Sequence, residues 1–285
     1  MRELLTDLAS EQQGLDDLVA ALPAQHWDLV TPAEPWTIRD TISHLAFFDE
    51  RQTEAITDPV AFQTELNTRL AGVNEDYMSI GIDRGRVLEP SGVLAWWRQA
   101  RARELAAFTT VGADTQLPWY GPAMKAASAV TARLMETWAH GQDVADALGI
   151  TRSPTDRLLH IAELGVKTFS WSFLNRGLEV PPTRVRVVLT APSGVVKIWN
   201  EHVESDRTSG PVEDFCLVVA QRRHLCDTSL EVEGEIARRW MEVAQIFAGP
   251  PGPGRPPQAT ASSRRKAEPP ETSPPIAGSQ YEMNR

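Results

Sequence analysis

The chain has 285 residues, 42% hydrophobic and 23% charged, an ordinary globular composition long enough for two modest domains. A formal net charge of −10 argues against broad nucleic-acid binding, which needs a basic surface. No run approaches the roughly 20 apolar residues of a membrane span, and MRELLTDLASEQQ lacks the basic and apolar regions of a signal peptide, so a cytoplasmic protein is expected, with no membrane partner.

Leu4, Leu5, Leu8, Leu15, Leu18, Val19 and Leu22 recur at helical spacing and predict an amphipathic first helix ended by Pro23. Thr37, with Asp40 three residues on, has the form of a capping box opening a second helix. Ile38, Ile42, Leu45 and Phe48 continue that helix, with His44 inside the apolar run. Asn67, Gly72, Asn74 and Gly81 argue for broken helix and loop over 57–90. A third helix is expected over 91–109, on Val93, Leu94, Trp96, Trp97, Leu105 and Phe108. DTQLPWYGPAM reads as a connector, and a fourth helix runs from Met124 to Leu148, closed by Gly149. Four amphipathic helices with a longer second connection predict a helix bundle over residues 1–152.

After Thr151 the pattern changes. SPTDRLLHIAELGVKTFSWSFLNRG reads as one helix with Gly177 at its end. TRVRVVLT and GVVKIWN read as strands around the turn APSG. SGPVEDFCLVVAQRRH reads as a helix with Pro211 in its first turn, TSLEVEG as a short strand, and EIARRWMEVAQIFAG as a closing helix. Together these predict a small α+β domain over 153–249. Residues 250–285, rich in Pro, Ser and Gly, bury too little apolar surface to offset their ordering entropy and are expected to be disordered.

In LMETWAHGQDVADALG, Glu136, His140 and Asp143 share a helix face. They form either a solvated edge or a site. Bundles build metal sites from inward side chains on facing helices, and His44 with Glu136 and His140 is a common ligand set for zinc. Three protein ligands would leave a position open for water or substrate. Asp143 is then either an acceptor orienting an imidazole, a surface carboxylate, or the general base of a metal hydrolase. Asp40 reads as the cap of the second helix, and Trp36 and Trp138 as core. Cys216 and Cys226 show no paired spacing and read as free thiols, with Cys216 inert among Phe215, Leu217 and Val218. The short basic run SRRK is no nucleic-acid footprint, and the prolines of GPPGPGRPP remove the amide donors that a phosphate loop needs.

PWTIRDTISHLAFFDE followed by METWAHGQDVADALG resembles the metal-binding four-helix domain of the DinB superfamily, in the branch of mycothiol-dependent maleylpyruvate isomerase. The resemblance covers about residues 1–150, including the start at Trp36 and Thr37. It implies zinc (Zn2+), or another divalent metal, on His44, Glu136 and His140, with nickel, iron or manganese possible on the same ligands. More loosely, residues 153–249 resemble the sterol-carrier-like α+β domain of that isomerase. There SGPVEDFCLVVAQRRH is similar to a helix ending in a Gly-Arg pair. Gln221 stands in place of the Gly, and Arg222, followed by Arg223, is the best match to an important Arg. What the resemblance implies is a thiol-dependent isomerase or transferase. A small-molecule thiol, mycothiol in the relatives, would attack an electrophilic substrate such as an unsaturated keto acid, with Arg222 holding its carboxylate. A non-catalytic metal or thiol sensor, or a partner-binding module, is the alternative. The sequence names neither substrate nor oligomeric state.

Overall fold

A computed structural model of the chain describes residues 1–71 and 77–258. The described residues are mostly helical with a small sheet region. Four long helices, α1 (Arg2–Ala20), α2 (Ile38–Thr57), α5 (Pro90–Phe108) and α6 (Ala126–Leu148), dominate the N-terminal half. α2 packs on α5 and α6, and α1 on α6 and α5. The capping box of α2 is formed: Asp40 N donates to Thr37 Oγ1 at 3.2 Å and Thr37 N to Asp40 Oδ2 at 3.1 Å. Gly149 ends α6 at φ +67°. The connector before α6 carries a two-residue hairpin, β1 (Gln116–Leu117) and β2 (Met124–Lys125).

Between α2 and α5 the broken helix expected over 57–90 is two helices, α3 (Pro59–Ala71) and α4 (Tyr77–Arg86); Asn67 lies within α3, and Gly72 and Asn74 lie outside the described residues. Gly81 does not break α4. A Cβ there would lie 2.6 Å from Phe47 Cβ, and one at Gly85 would lie 1.8 Å from Ser43 Oγ. Both glycines let α4 approach α2, the helix that carries His44.

In the C-terminal half the single helix expected over 153–177 is two, α7 (Leu158–Lys167) and α8 (Phe169–Leu174), turned at Thr168. β3 (Arg186–Thr190) and β4 (Val196–Trp199) form the expected hairpin. The helix expected from Ser209 begins only at Val212. Residues 207–211 instead form β5 (Arg207–Pro211), parallel to β3 and antiparallel to β6 (Glu231–Glu233), in the order β4-β3-β5-β6. α9 (Val212–Val219) follows, and α10 (Glu235–Val243) stops short of the expected Gly249.

One apolar core crosses the expected boundary at residue 152. Leu134, Met135 and Trp138 of α6 share it with Leu158 and Ile161 of α7, Phe215 of α9 and Trp240 of α10. A second cluster, with Leu15, Ile42, Leu45, Val93 and Trp97, fills the space between α1, α2 and α5. Residues 250–258 of the expected disordered tail are described and lie against the body: Arg176 donates to Gly252 O at 2.7 Å, and Gln258 N to Asp227 at 2.9 Å. Among the described residues, no helix is long and apolar enough to cross a membrane.

Candidate metal centre

α2 and α6 bring three side chains to one point. His44 sits two turns into α2, and Glu136 and His140 lie one turn apart on the facing side of α6. Glu136 Oε2 is 3.7 Å from His44 Nε2 and 3.3 Å from His140 Nε2. The three offered ligand atoms all lie within 4.8 Å of one another, a group that could hold a metal ion. A tetrahedral zinc with bonds of about 2.0–2.1 Å holds its donors about 3.4 Å apart, so small rotamer adjustments suffice.

The local chemistry fits a cation. His44 is buried, its Nδ1 has no hydrogen-bond partner, and its Nε2 is too far from Glu136 for a good hydrogen bond. A buried imidazole without partners is costly, and a metal on Nε2 would give it one. Burial holds His44 down at about 4, against the pull of Glu136, so the ring is neutral and ready to donate a lone pair. Burial opposes charge on Glu136 as well, but the two imidazoles outweigh it and hold the carboxyl well below its usual range. His140 goes the other way: burial is outweighed by Asp143 and Glu136, and its pKa is raised. The two shifts favour charge on both members of the Glu136–His140 pair.

Asp143 is fully buried one turn below His140, its Oδ2 3.3 Å from His140 Nδ1. It stands at ion-pair distance on the Nδ1 side of the imidazole, without hydrogen-bond geometry. It does not suit the general-base role: burial is overcome by Arg222 and His140, and its carboxyl is held down at about 2. Arg222 grips it twice, Nε to Oδ1 at 3.2 Å and Nη2 to Oδ2 at 2.7 Å. The local fold explains this reach. After α9, Gln221 takes φ +58°, and the chain turns so that Arg222 N donates to Leu217 O at 2.7 Å. Glycine adopts that left-handed turn most easily, which is why a Gly-Arg pair suits this place. Arg223 pairs bidentately with Asp146, at 2.6 and 2.7 Å.

Several neighbours were missed in the sequence. Trp36, read as core, is half-buried and lies against both histidines, its ring 4.8 Å from His44 and 5.7 Å from His140. Phe48 covers the other side of His44 at 4.7 Å. Behind the cluster, Arg133 donates to Asp49 at 2.6 Å, tying α6 to α2. An arginine one turn before Glu136 in an apolar helix was a usable signal; nothing local marked Arg255, whose contact with Asp143 crosses 112 positions. Cys216 is buried, and burial pushes its thiol well up, as an inert cysteine requires. An open apolar groove between α1 and α5, lined in part by Met1, Leu5, Phe108 and Val111, carries no metal-ligating side chain.

The family model of the mycothiol maleylpyruvate isomerase N-terminal domain matches residues 8–145. Uncharacterized protein Rv0036c of Mycobacterium tuberculosis (strain H37Rv) is 43% identical over 251 residues, covering 88% of this chain and 97% of its own. Its counterpart from a second strain, CDC 1551, matches equally. The crystal structure of a mycothiol-dependent maleylpyruvate isomerase aligns with a TM-score of 0.54 at 17% identity, over 78% of this chain and 89% of that one. A crystal structure of a His-to-Ala mutant of mycothiol-dependent maleylpyruvate isomerase aligns with the same score at 16% identity. At these identities the likeness is one of fold.

Proposed function

The chain belongs to the family of the mycothiol maleylpyruvate isomerase N-terminal domain, and on that premise we propose that it is a divalent-metal protein acting as a thiol-dependent isomerase or transferase on a small electrophilic substrate. The observation that carries this reading is the convergence of His44, Glu136 and His140. We read residues 1–152 as a DinB-like four-helix bundle, 153–249 as a sterol-carrier-like domain, and 250–285 as a tail. Zinc is the metal proposed and mycothiol the thiol, in a reducing cytoplasm that suits such chemistry.

In this reading His44, Glu136 and His140 hold the cation. Bound there, it would supply Lewis acidity, lowering the pKa of a thiol at the open position and stabilising negative charge. Asp143 holds the Nδ1 side of His140, so that Nε2 presents its lone pair. Trp36, packed on both histidines, and Phe48, packed on His44, shield the rings from water. Arg222 spends three N–H donors on Asp143 and on Ala220 O, and a guanidinium has five. The remaining two are available for a substrate carboxylate.

Metal content by elemental mass spectrometry tests the site. Wild-type chain should carry about one equivalent after zinc reconstitution and the His44→Ala, His140→Ala double variant almost none. Metal-loaded protein should then consume an electrophile such as an unsaturated keto acid only when a low-molecular-weight thiol is present; thiol-independent turnover would sink the proposed reaction. A non-catalytic metal or thiol sensor is favoured by one observation, the commitment of Arg222 to Asp143. It predicts saturable thiol binding without turnover.

A further inference from the structure

The sequence from Pro250 to Gln258, PPGPGRPPQ, looks like a linker, but it is anchored at both ends. Asn175 donates to Gly249 O at 3.0 Å, Arg176 to Gly252 O at 2.7 Å, and Gln258 N to Asp227 at 2.9 Å. Five of these nine residues are prolines, so little backbone freedom is lost when the segment is laid down. Between the anchors Arg255 points inward: Nη2 donates to Asp143 Oδ1 at 2.6 Å and Nη1 to Asp146 Oδ2 at 3.2 Å.

Asp143 therefore receives two arginines, and both reach Oδ1, Arg255 Nη2 at 2.6 Å and Arg222 Nε at 3.2 Å. Arg255 takes only Oδ1, while Arg222 Nη2 and His140 Nδ1 face Oδ2. With Oδ1 held, the carboxylate cannot rotate about its last bond, and Oδ2 stays opposite His140. We infer that Arg255 is a positioning residue for His140, acting through Asp143, so that the segment after α10 is a strap that completes the metal centre. This rests on the metal reading of His44, Glu136 and His140. Without Arg255, Asp143 remains buried and paired with Arg222, but Oδ1 keeps only the longer Arg222 Nε bond and the imidazole is less firmly aimed. The consequence belongs to cation affinity and not to folding. Groups touching a ligating imidazole directly are worth about 10–100-fold in affinity, and Arg255 acts one step further out, at about three- to tenfold.

The experiment is a zinc titration of the full chain against a chromophoric chelator, with thermal unfolding of the metal-free forms beside it. Arg255→Ala should bind zinc about three- to tenfold more weakly at an unchanged metal-free midpoint. Arg255→Lys should recover part of the loss, because an ammonium restores the charge without the fork. Arg223→Ala, which removes a partner of Asp146 and a bond to Arg222 O but no partner of Asp143, should bind zinc as wild type does. Unchanged affinity in Arg255→Ala overturns the inference. So does an equal loss in Arg223→Ala, or a loss that comes with a lowered metal-free midpoint. Failure of the wild-type chain to bind zinc or any other divalent cation removes the site itself, and the wild-type titration reports that outcome separately.

Discussion

Arg133 shows what one residue holds in place. It is buried at 3% exposure and donates to Asp49 at 2.6 and 3.1 Å and to Leu45 O at 3.4 Å, with Glu104 Oε1 3.4 Å away. Burial, then the neighbouring Asp49, raises the Glu104 carboxyl well above its usual range; burial raises Asp49 as well, and Arg133 balances the nearer Asp49 carboxylate. Arg133→Met would strand that carboxylate in the core at a cost of about 3–5 kcal/mol, read by chemical denaturation. Adding Asp49→Asn should recover a large part of the loss; no recovery would show that the charge balance is not the cause. A second prediction concerns His140. Its raised pKa makes a proton a stronger competitor for a bound cation, so affinity should fall as the pH drops and proton release should appear in calorimetry in different buffers. An affinity independent of pH between 5 and 8 would count against His140 as ligand. At this scale the three ligand candidates were legible because Glu136 and His140 are helix neighbours and His44 interrupts an apolar stripe. Arg255 was not, since its partners lie far along the chain, and Trp36 was read as core although His44 is near it in the chain.

Among the elements, α2 was the most legible, because a capping box and an apolar period are both local. Thr37→Ala removes the side-chain acceptor of that box and should cost about 1 kcal/mol of stability in a denaturant titration. α4 was harder to read for the opposite reason: Gly81 and Gly85 are needed by the neighbouring helix, not by their own backbone. β5 was hidden because Arg207–Pro211 has no alternating pattern and gains its partners from β3 and β6. Glu163 joins α7 to β4. It accepts from Trp199 Nε1 at 2.6 Å and Lys197 Nζ at 3.0 Å. Burial opposes its charge, but Trp199, Lys197 and Lys167 outweigh it and hold the carboxyl at about 2. A carboxyl depressed on folding contributes stability above its unfolded pKa and loses it as the pH falls toward the folded one. Glu163→Gln should therefore destabilise the chain at pH 6, with the difference from wild type shrinking between about pH 4.5 and 2. A difference that does not change with pH would mean that Glu163 acts through packing alone.

Over the whole molecule, the two halves share more than a linker. Glu11 of α1 accepts from Arg157 at 3.1 Å and from Arg152, and Asp143 and Asp146 of α6 accept from Arg222, Arg223 and Arg255. The apolar core runs through α6, α7, α9 and α10 without a break. Scanning calorimetry should show one cooperative transition, shifted upward by zinc. Two transitions, only one of them moved by metal, would mean that the shared core does not couple the halves. In the same experiment, Phe215→Ala, in the C-terminal half, should lower the single transition by truncating a fully buried ring, at a cost of about 3–5 kcal/mol.

What the sequence determined by itself was whatever depends on neighbours within about a turn of chain: the long helices and their ends at Thr37 and Gly149, the β3–β4 hairpin, and the Glu136–His140 pair. Helical period, capping and i,i+4 adjacency act over a few residues and leave their mark in order along the chain. Only the tertiary structure decided that α2 brings His44 to that pair, that Trp36 lies on the histidines, and that Asp143 is buried between Arg222 and Arg255. Those are distances across 79 to 112 positions in the case of Asp143, set by how cores pack and charges are paired once water is excluded.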